Sequence, residues 1–370
     1  MPETQAQRRS EIKAPTRAGS AGDVARRELP KRIARLLSFR NISAIYIFVV
    51  MFVVFSIWVP DTFLRWDTWR TLFDSQAVTA ILAVGLVIAL SAGAFNLAIG
   101  AELGFGAILS AWLLVHGGMG VVPAIGLTLV AGALIGFVSG LLIIKVKIES
   151  FIATLGVSSI LLAVIAWTAN SQQILGLPGG FQDIGTVEIL GLSLPVYLML
   201  VVSLLVWYVL EWTPLGRRVY AAGGNIDAAR LAGVPVGAVV VGALVACGVI
   251  AAFAGLVVSA NIGAGDPTIG PAYLLPAFSA AFLGSTQFRG GRFNVWGTVV
   301  AVYVLATGVK GLQLAGAPIW IPDLFNGVAL LLAVGLANFE ATAARAGAVR
   351  KLLRIDQRSA RRSDAASVQA

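Results

Sequence analysis

The chain has 370 residues, 58% of them hydrophobic and only 12% charged, with a mean hydropathy of +0.87 and a formal net charge of +9. An ordinary soluble domain is roughly 45–50% apolar and about 25% charged. So few charges cannot coat a soluble globule of this length, and the bilayer must solvate most of the surface. The single cysteine, Cys247, excludes an internal disulfide, and its apolar surroundings make it a small core residue.

Residues 1–40 form a basic tail with Arg8, Arg9, Lys13, Arg17, Arg26, Arg27, Lys31, Arg32, Arg35 and Arg40. It has no sustained apolar face and reads as disordered or loosely membrane-associated. A second basic tail, 341–370, holds Arg345, Arg350, Lys351, Arg354, Arg358, Arg361 and Arg362. Charge placed this way argues for retention of both termini in the cytoplasm against anionic lipid headgroups, and against a nucleic acid partner. The first apolar run ends at Ile57-Trp58-Val59-Pro60 without a small-residue cleavage site, so it reads as a retained helix rather than a signal peptide.

Between the tails, residues 41–340 read as one all-α, polytopic membrane domain. Spans of about 20 apolar residues fall near 43–59, 76–94, 97–115, 121–144, 150–169, 193–212, 237–260, 272–286, 293–313 and 320–338. The run 272–286 is short and suggests a broken or re-entrant element. Ten crossings with both tails inside place Lys145, Lys147, Arg217, Arg218, Arg230, Arg289 and Arg292 in the cytoplasm, and Arg65, Arg70 and Lys310 outside or in the membrane. That is the positive-inside bias expected of an inner-membrane protein. Trp58, Trp66, Trp69, Trp112, Trp212 and Trp320 lie near span ends, where interfacial anchoring accounts for them.

The connections differ in character. Between the second and third spans, Ser91–Glu102 is a glycine-rich polar interruption. Asn96 and Glu102 either face the bundle interior, the usual place for polar groups at membrane depth, or sit in a short cytoplasmic turn. Gly132, Gly136 and Gly140 recur at four-residue spacing, as do Gly100 and Gly104, which allows close helix packing. The stretch 170–191 reads as a polar external loop. Residues 261–276, rich in Gly and Pro, read as an external hairpin of short half-helices.

The cytoplasmic loop 214–235 carries its own signals. Gly223-Gly224 suits a turn, Asn225 caps a helix over 226–232, Asp227 complements its dipole, and Gly233 ends it. A short capped helix between two spans is either a plain connector or a rigid docking element. A second basic, glycine-rich turn follows at Gly284–Arg292. No P-loop occurs, His116 is the only histidine and reads as a loop residue, and no nucleophile–base pair stands out, so nothing marks the chain as an enzyme or a metal protein.

Taken in order, Phe151-Ile152-Ala153-Thr154-Leu155-Gly156, Gly223-Gly224-Asn225 with Ala228-Ala229-Arg230-Leu231, and Gly290-Gly291-Arg292 followed by Trp296-Gly297-Thr298 resemble permease subunits of bacterial ribose-type sugar ABC importers over roughly residues 45–338. The resemblance implies a type II importer-like permease that binds no cofactor itself and works with ATP and Mg on a separate cytoplasmic ATPase subunit. It also implies a periplasmic or lipid-anchored solute-binding protein and a second permease copy or related chain. Gly223, Gly224, Asn225, Asp227, Ala228, Ala229, Arg230 and Leu231 would dock on the ATPase; Asn261, Asp266 and Pro267 would meet the binding protein. Asn96, Thr154, Ser158 and Ser159 would line a path suited to a neutral polyol. Where the family often has Ile-Asp-Leu-Ser-Val-Gly, this chain has Phe95-Asn96-Leu97-Ala98-Ile99-Gly100, an amide in place of the acid. An ABC permease for a nucleoside or amino acid, and a secondary transporter, remain alternatives.

Overall fold

The computed structural model describes residues 43–286 and 291–335. Both tails and part of the Gly284–Arg292 turn therefore lie outside the described residues. Helices α1 (Ser43–Trp58), α2 (Pro60–Phe63), α3 (Trp66–Ser91), α4 (Ile99–Val115), α5 (Val121–Ile144), α6 (Ser150–Thr168) and α7 (Gly179–Thr186) are followed by a two-residue hairpin, β1 (Glu188–Ile189) and β2 (Leu192–Ser193). Then come α8 (Leu194–Trp212), α9 (Pro214–Gly224), α10 (Ile226–Leu231), α11 (Val236–Ile262), α12 (Ile269–Ser285), α13 (Val295–Leu314) and α14 (Ile321–Gly335).

Six of these are long and apolar enough to cross a bilayer alone: α3, α5, α6, α8, α11 and α13. The apolar helices α1, α4, α12 and α14 are shorter, and each coincides with an expected span. With α4 and α12 at 17 residues, a rise of about 1.5 Å per residue gives them some 25 Å, less than the roughly 30 Å hydrocarbon thickness.

Helix α3 begins ten residues before the expected span because Asp67, Arg70, Asp74 and Gln76 lower its hydropathy there. Two of those groups, Arg70 and Asp74, find partners across the chain. Asp74 accepts from the Ser193 amide at 3.0 Å and its hydroxyl at 2.7 Å, and Arg70 pairs with Glu188. The 170–191 stretch is thus not plain loop: the hairpin is pinned to the start of α3, and α7 packs on α11.

Helix α11 is the spine of the bundle, packed along α5, α4 and α3. Its contacts depend on glycine. A Cβ on Gly136 would strike the Leu244 carbonyl, one on Gly248 the Gly132 carbonyl, and one on Gly255 the Leu103 carbonyl. Close backbone approach of this kind is how membrane helices gain packing energy when hydrophobic burial offers little. Helix α3 is the most enclosed long helix: 72% of its most apolar stretch is buried, against 28% in α5 and α6.

Three details differ from expectation. Residues 263–268 form a turn, and 269–285 is one helix with Pro276 inside it, not a pair of half-helices; packing against α13, α3 and α4 holds it together across the proline. Gly223 and Gly224 end α9 rather than form a free turn, because Gly223 sits tightly against the Ser91 carbonyl and Gly93. Trp69 is no free interfacial anchor: it donates to the Phe63 carbonyl at 2.9 Å and packs edge-on to that ring.

Candidate functional site

Four places bring polar side chains together. The first is the break between α3 and α4. After Ser91 the chain runs unwound through residues 92–98 into the bundle, exposing backbone groups that must be satisfied without water. Side chains answer that need. Asn96 Oδ1 accepts from the Ala98 amide at 3.0 Å, Thr154 Oγ1 accepts from the Leu97 amide at 3.0 Å, and Ser150 Oγ accepts from the Phe95 amide at 3.2 Å. Asn96 Nδ2 also donates to Glu102 Oε2 at 3.0 Å and to Cys247 Sγ at 3.3 Å. Asn96 and Glu102 are 0% and 1% exposed. The exposed-turn reading of Glu102 is therefore corrected: the carboxyl lies in the first turn of α4, where the helix dipole favours it, packed inside the bundle. Its other oxygen, Oε1, has no hydrogen-bond partner among the described residues.

Of the four residues expected to line a path, Asn96 and Thr154 thus hold an unwound backbone, while Ser158 is half-buried and Ser159 exposed on α6. The structure does not gather them into one cavity.

A cavity does exist elsewhere. Between α3, α12, α13 and α14, at the end of the bundle away from α9, lies a space of about 600 Å³, lined by Gln76, Thr79, Tyr273, Lys310, Asp323 and Asn326 among others. Among the described residues Lys310 and Asp323 form no ion pair, and as the charged members of the lining they leave it neutral overall. Sequence reading missed this cavity because its residues come from four separated helices. The one available signal was amphipathic: Gln76, Lys310, Gln313, Asp323 and Asn326 are polar groups at membrane depth, which mark pathways by default.

The outer turn near this end is latched. Ile174 and Gly265 exchange two backbone hydrogen bonds of 2.9 Å, Gln173 donates to Asp266 at 3.0 Å, and Asn261 donates to the Gly185 carbonyl at 3.3 Å. Partial burial alone would push the Asp266 carboxyl up; hydrogen bonds from the Thr268 amide and hydroxyl and from Gln173 outweigh it and hold it below its ordinary value. Pro267 is half-buried in the same turn.

At the opposite end α10 stands between α9 and α11. Asn225 Oδ1 accepts from the Ala228 amide at 3.0 Å, Asp227 lies in the first turn, and Gly233 takes a left-handed φ of 79° after the last. Ala229 is buried, while Asn225, Ile226, Asp227, Ala228, Arg230 and Leu231 are exposed, Leu231 to 91%. Leu231 is thus an exposed apolar side chain at the end of a helix capped by Asn225. Lys145, Lys147, Arg217, Arg218 and Arg292 share this end, Arg292 lying over the Tyr220 ring at 3.9 Å.

Comparison with known proteins agrees with this architecture. The chain is similar to the ribose import permease protein of Haemophilus influenzae, 29% identical over 80% of this chain and 92% of the relative. It is 32% identical to that of Escherichia coli K12, over 72% of this chain and 84% of the relative. The Bacillus subtilis ribose import permease is 33% identical over 71% and 82%. No solved structure matches. Residues 71–334 match the family described as branched-chain amino acid transport system / permease component, and with that coverage the chain belongs to this family of multi-pass membrane permeases.

Proposed function

We propose that this chain is the translocating subunit of an ATP-driven importer for a neutral, hydroxyl-rich solute of the sugar class. The cavity of about 600 Å³ in the outer half of the bundle carries the reading. It offers amide, hydroxyl and phenol groups with balanced charge, a set that hydrogen-bonds a polyol without a deep electrostatic well. Its resemblance to ribose import permeases points the same way.

The division of labour follows from what the chain holds. With no P-loop in its sequence, energy enters through an ATPase subunit docking on α10, around Asn225–Leu231. A ligand shifts a conformational equilibrium only through different affinity for the two states; nucleotide on the partner supplies that difference and α10 transmits it. The basic end faces the cytoplasm by the positive-inside tendency, and the latched outer turn around Asn261, Asp266 and Pro267 receives a solute-binding protein. A second permease copy completes the path, with Ser158 and Ser159 on the exposed face of α6 toward it.

One observation favours a second reading. Lys310 and Asp323 in one cavity also match the carboxylate and ammonium of a zwitterionic amino acid. Uptake by membranes containing the permease, its ATPase and its binding protein separates the two. Saturable, ATP-dependent uptake of a pentose or hexose, insensitive to excess leucine, supports the sugar reading. Competition by leucine but not by sugars moves the assignment to an amino acid. Uptake that persists without ATP and collapses with the proton gradient overturns the ATP-driven reading.

A further inference from the structure

At the basic end, α8, α9 and α11 enclose an apolar groove of about 490 Å³. Its lining is aliphatic except at one end, where Arg218 contributes the single charged side chain. Gly242 lies along it, and a Cβ built there would meet nothing within 4 Å, so the groove is open over that residue. Along α11 the lining runs from Ala238 to Ile250, twelve residues or about 18 Å at the helical rise. That exceeds the roughly 15 Å depth of one leaflet, half of a 30 Å hydrocarbon core. Arg218 is exposed, and among the described residues it forms no ion pair.

We infer that this groove is a binding site for one anionic phospholipid of the cytoplasmic leaflet, an acyl chain lying over Gly242 and the headgroup phosphate on Arg218. The shape and the charge argue for it independently. An open groove longer than a leaflet, aliphatic but for Arg218 at its mouth, excludes water and suits a hydrocarbon chain. A lone guanidinium at its mouth, on the end that carries Lys145, Lys147 and Arg217 as well, matches a phosphodiester in charge and fork geometry. Basic pockets between membrane helices on the cytoplasmic side are the general form of such sites. The groove touches α9, directly before the docking helix α10, so an occupant there would stiffen the segment on which a partner presses.

The test is lipid retention by the purified full-length chain in nanodiscs of phosphatidylcholine doped with phosphatidylglycerol, read by native mass spectrometry. Gly242→Phe places a bulky side chain in the groove at a position where a Cβ meets no protein atom within 4 Å, and Arg218→Gln removes the charge. Phosphatidylglycerol is expected to stay bound to the unaltered chain. Arg218→Gln should reduce the preference for it over phosphatidylcholine about fivefold, the worth of roughly one cation at an anionic surface. Gly242→Phe should abolish retention of either lipid, with melting temperature unchanged in both variants. Equal retention in all three proteins overturns the proposal. So does a disulfide between two copies through Ala246→Cys under oxidation, which would show a protein in the groove instead.

Discussion

The Asn96 amide donates to the Glu102 carboxylate at 3.0 Å, both of them enclosed in the bundle where α4 begins. The pairing explains how a membrane crossing survives a seven-residue break: one amide satisfies a carboxylate, a thiol and the Ala98 backbone amide at once. Asn96→Leu should therefore leave three buried groups without this partner and cost about 2–4 kcal/mol. A fall in melting temperature in detergent, with loss of monodisperse protein at higher temperature, is the expected result. Asn96→Asp should also destabilise by setting two carboxyls in contact. The double change Asn96→Asp with Glu102→Gln should recover much of the loss; failure to recover would mean the pair does not interact as drawn.

Docking through α10 makes a graded prediction. Asn225→Ala removes the cap and should cost the helix about 1 kcal/mol, while Asn225→Asp keeps it. Leu231→Glu places a charge on the exposed tip. Capture of the ATPase subunit from solubilised membranes should fall with Asn225→Ala, vanish with Leu231→Glu and persist with Asn225→Asp. Undiminished capture by Leu231→Glu would remove α10 from the interface.

Most of the bundle could be read from the chain, because lipid demands runs of apolar residues whatever their neighbours. The cap at Asn225 and the glycine row Gly132–Gly136–Gly140 were equally local: a side chain bonding its own backbone three residues on, and a fixed helical spacing. What could not be read was decided by distant partners. The early start of α3 rests on Ser193 and Glu188, more than a hundred residues away. Asn96 looks like a path-lining amide in sequence and proves to be a backbone staple only once Thr154, Cys247 and the break itself are in place. The outer cavity needs four helices assembled before its polar residues share a wall.

The outer latch has a defined pH dependence. Asp266 is held below its ordinary carboxylate value of 3.8 in the folded chain. A depressed folded value means the stabilisation is present above the unfolded value and is lost as pH falls through the folded one. Hydrogen exchange of the 263–268 turn and the 172–176 segment should thus be flat from neutral pH down to about 4 once intrinsic rates are removed, then rise. Asp266→Asn should abolish that rise.

The cavity can be tested side chain by side chain. Gln76 and Asn326 line it from α3 and α14, and among the described residues neither side-chain amide is hydrogen-bonded. Each is positioned to meet a solute hydroxyl, and one such bond is worth about 1 kcal/mol, roughly a fivefold change in an equilibrium constant. Gln76→Leu and Asn326→Leu should each lower the apparent affinity for transported sugar by about that factor, with ATPase capture through α10 intact. Replacing both should compound the loss. Because α10 lies at the opposite end of the bundle, a variant that lost ATPase capture as well would have disturbed the fold rather than the cavity; unchanged uptake in the double variant would place the solute path elsewhere, between the exposed faces of α6 in two copies.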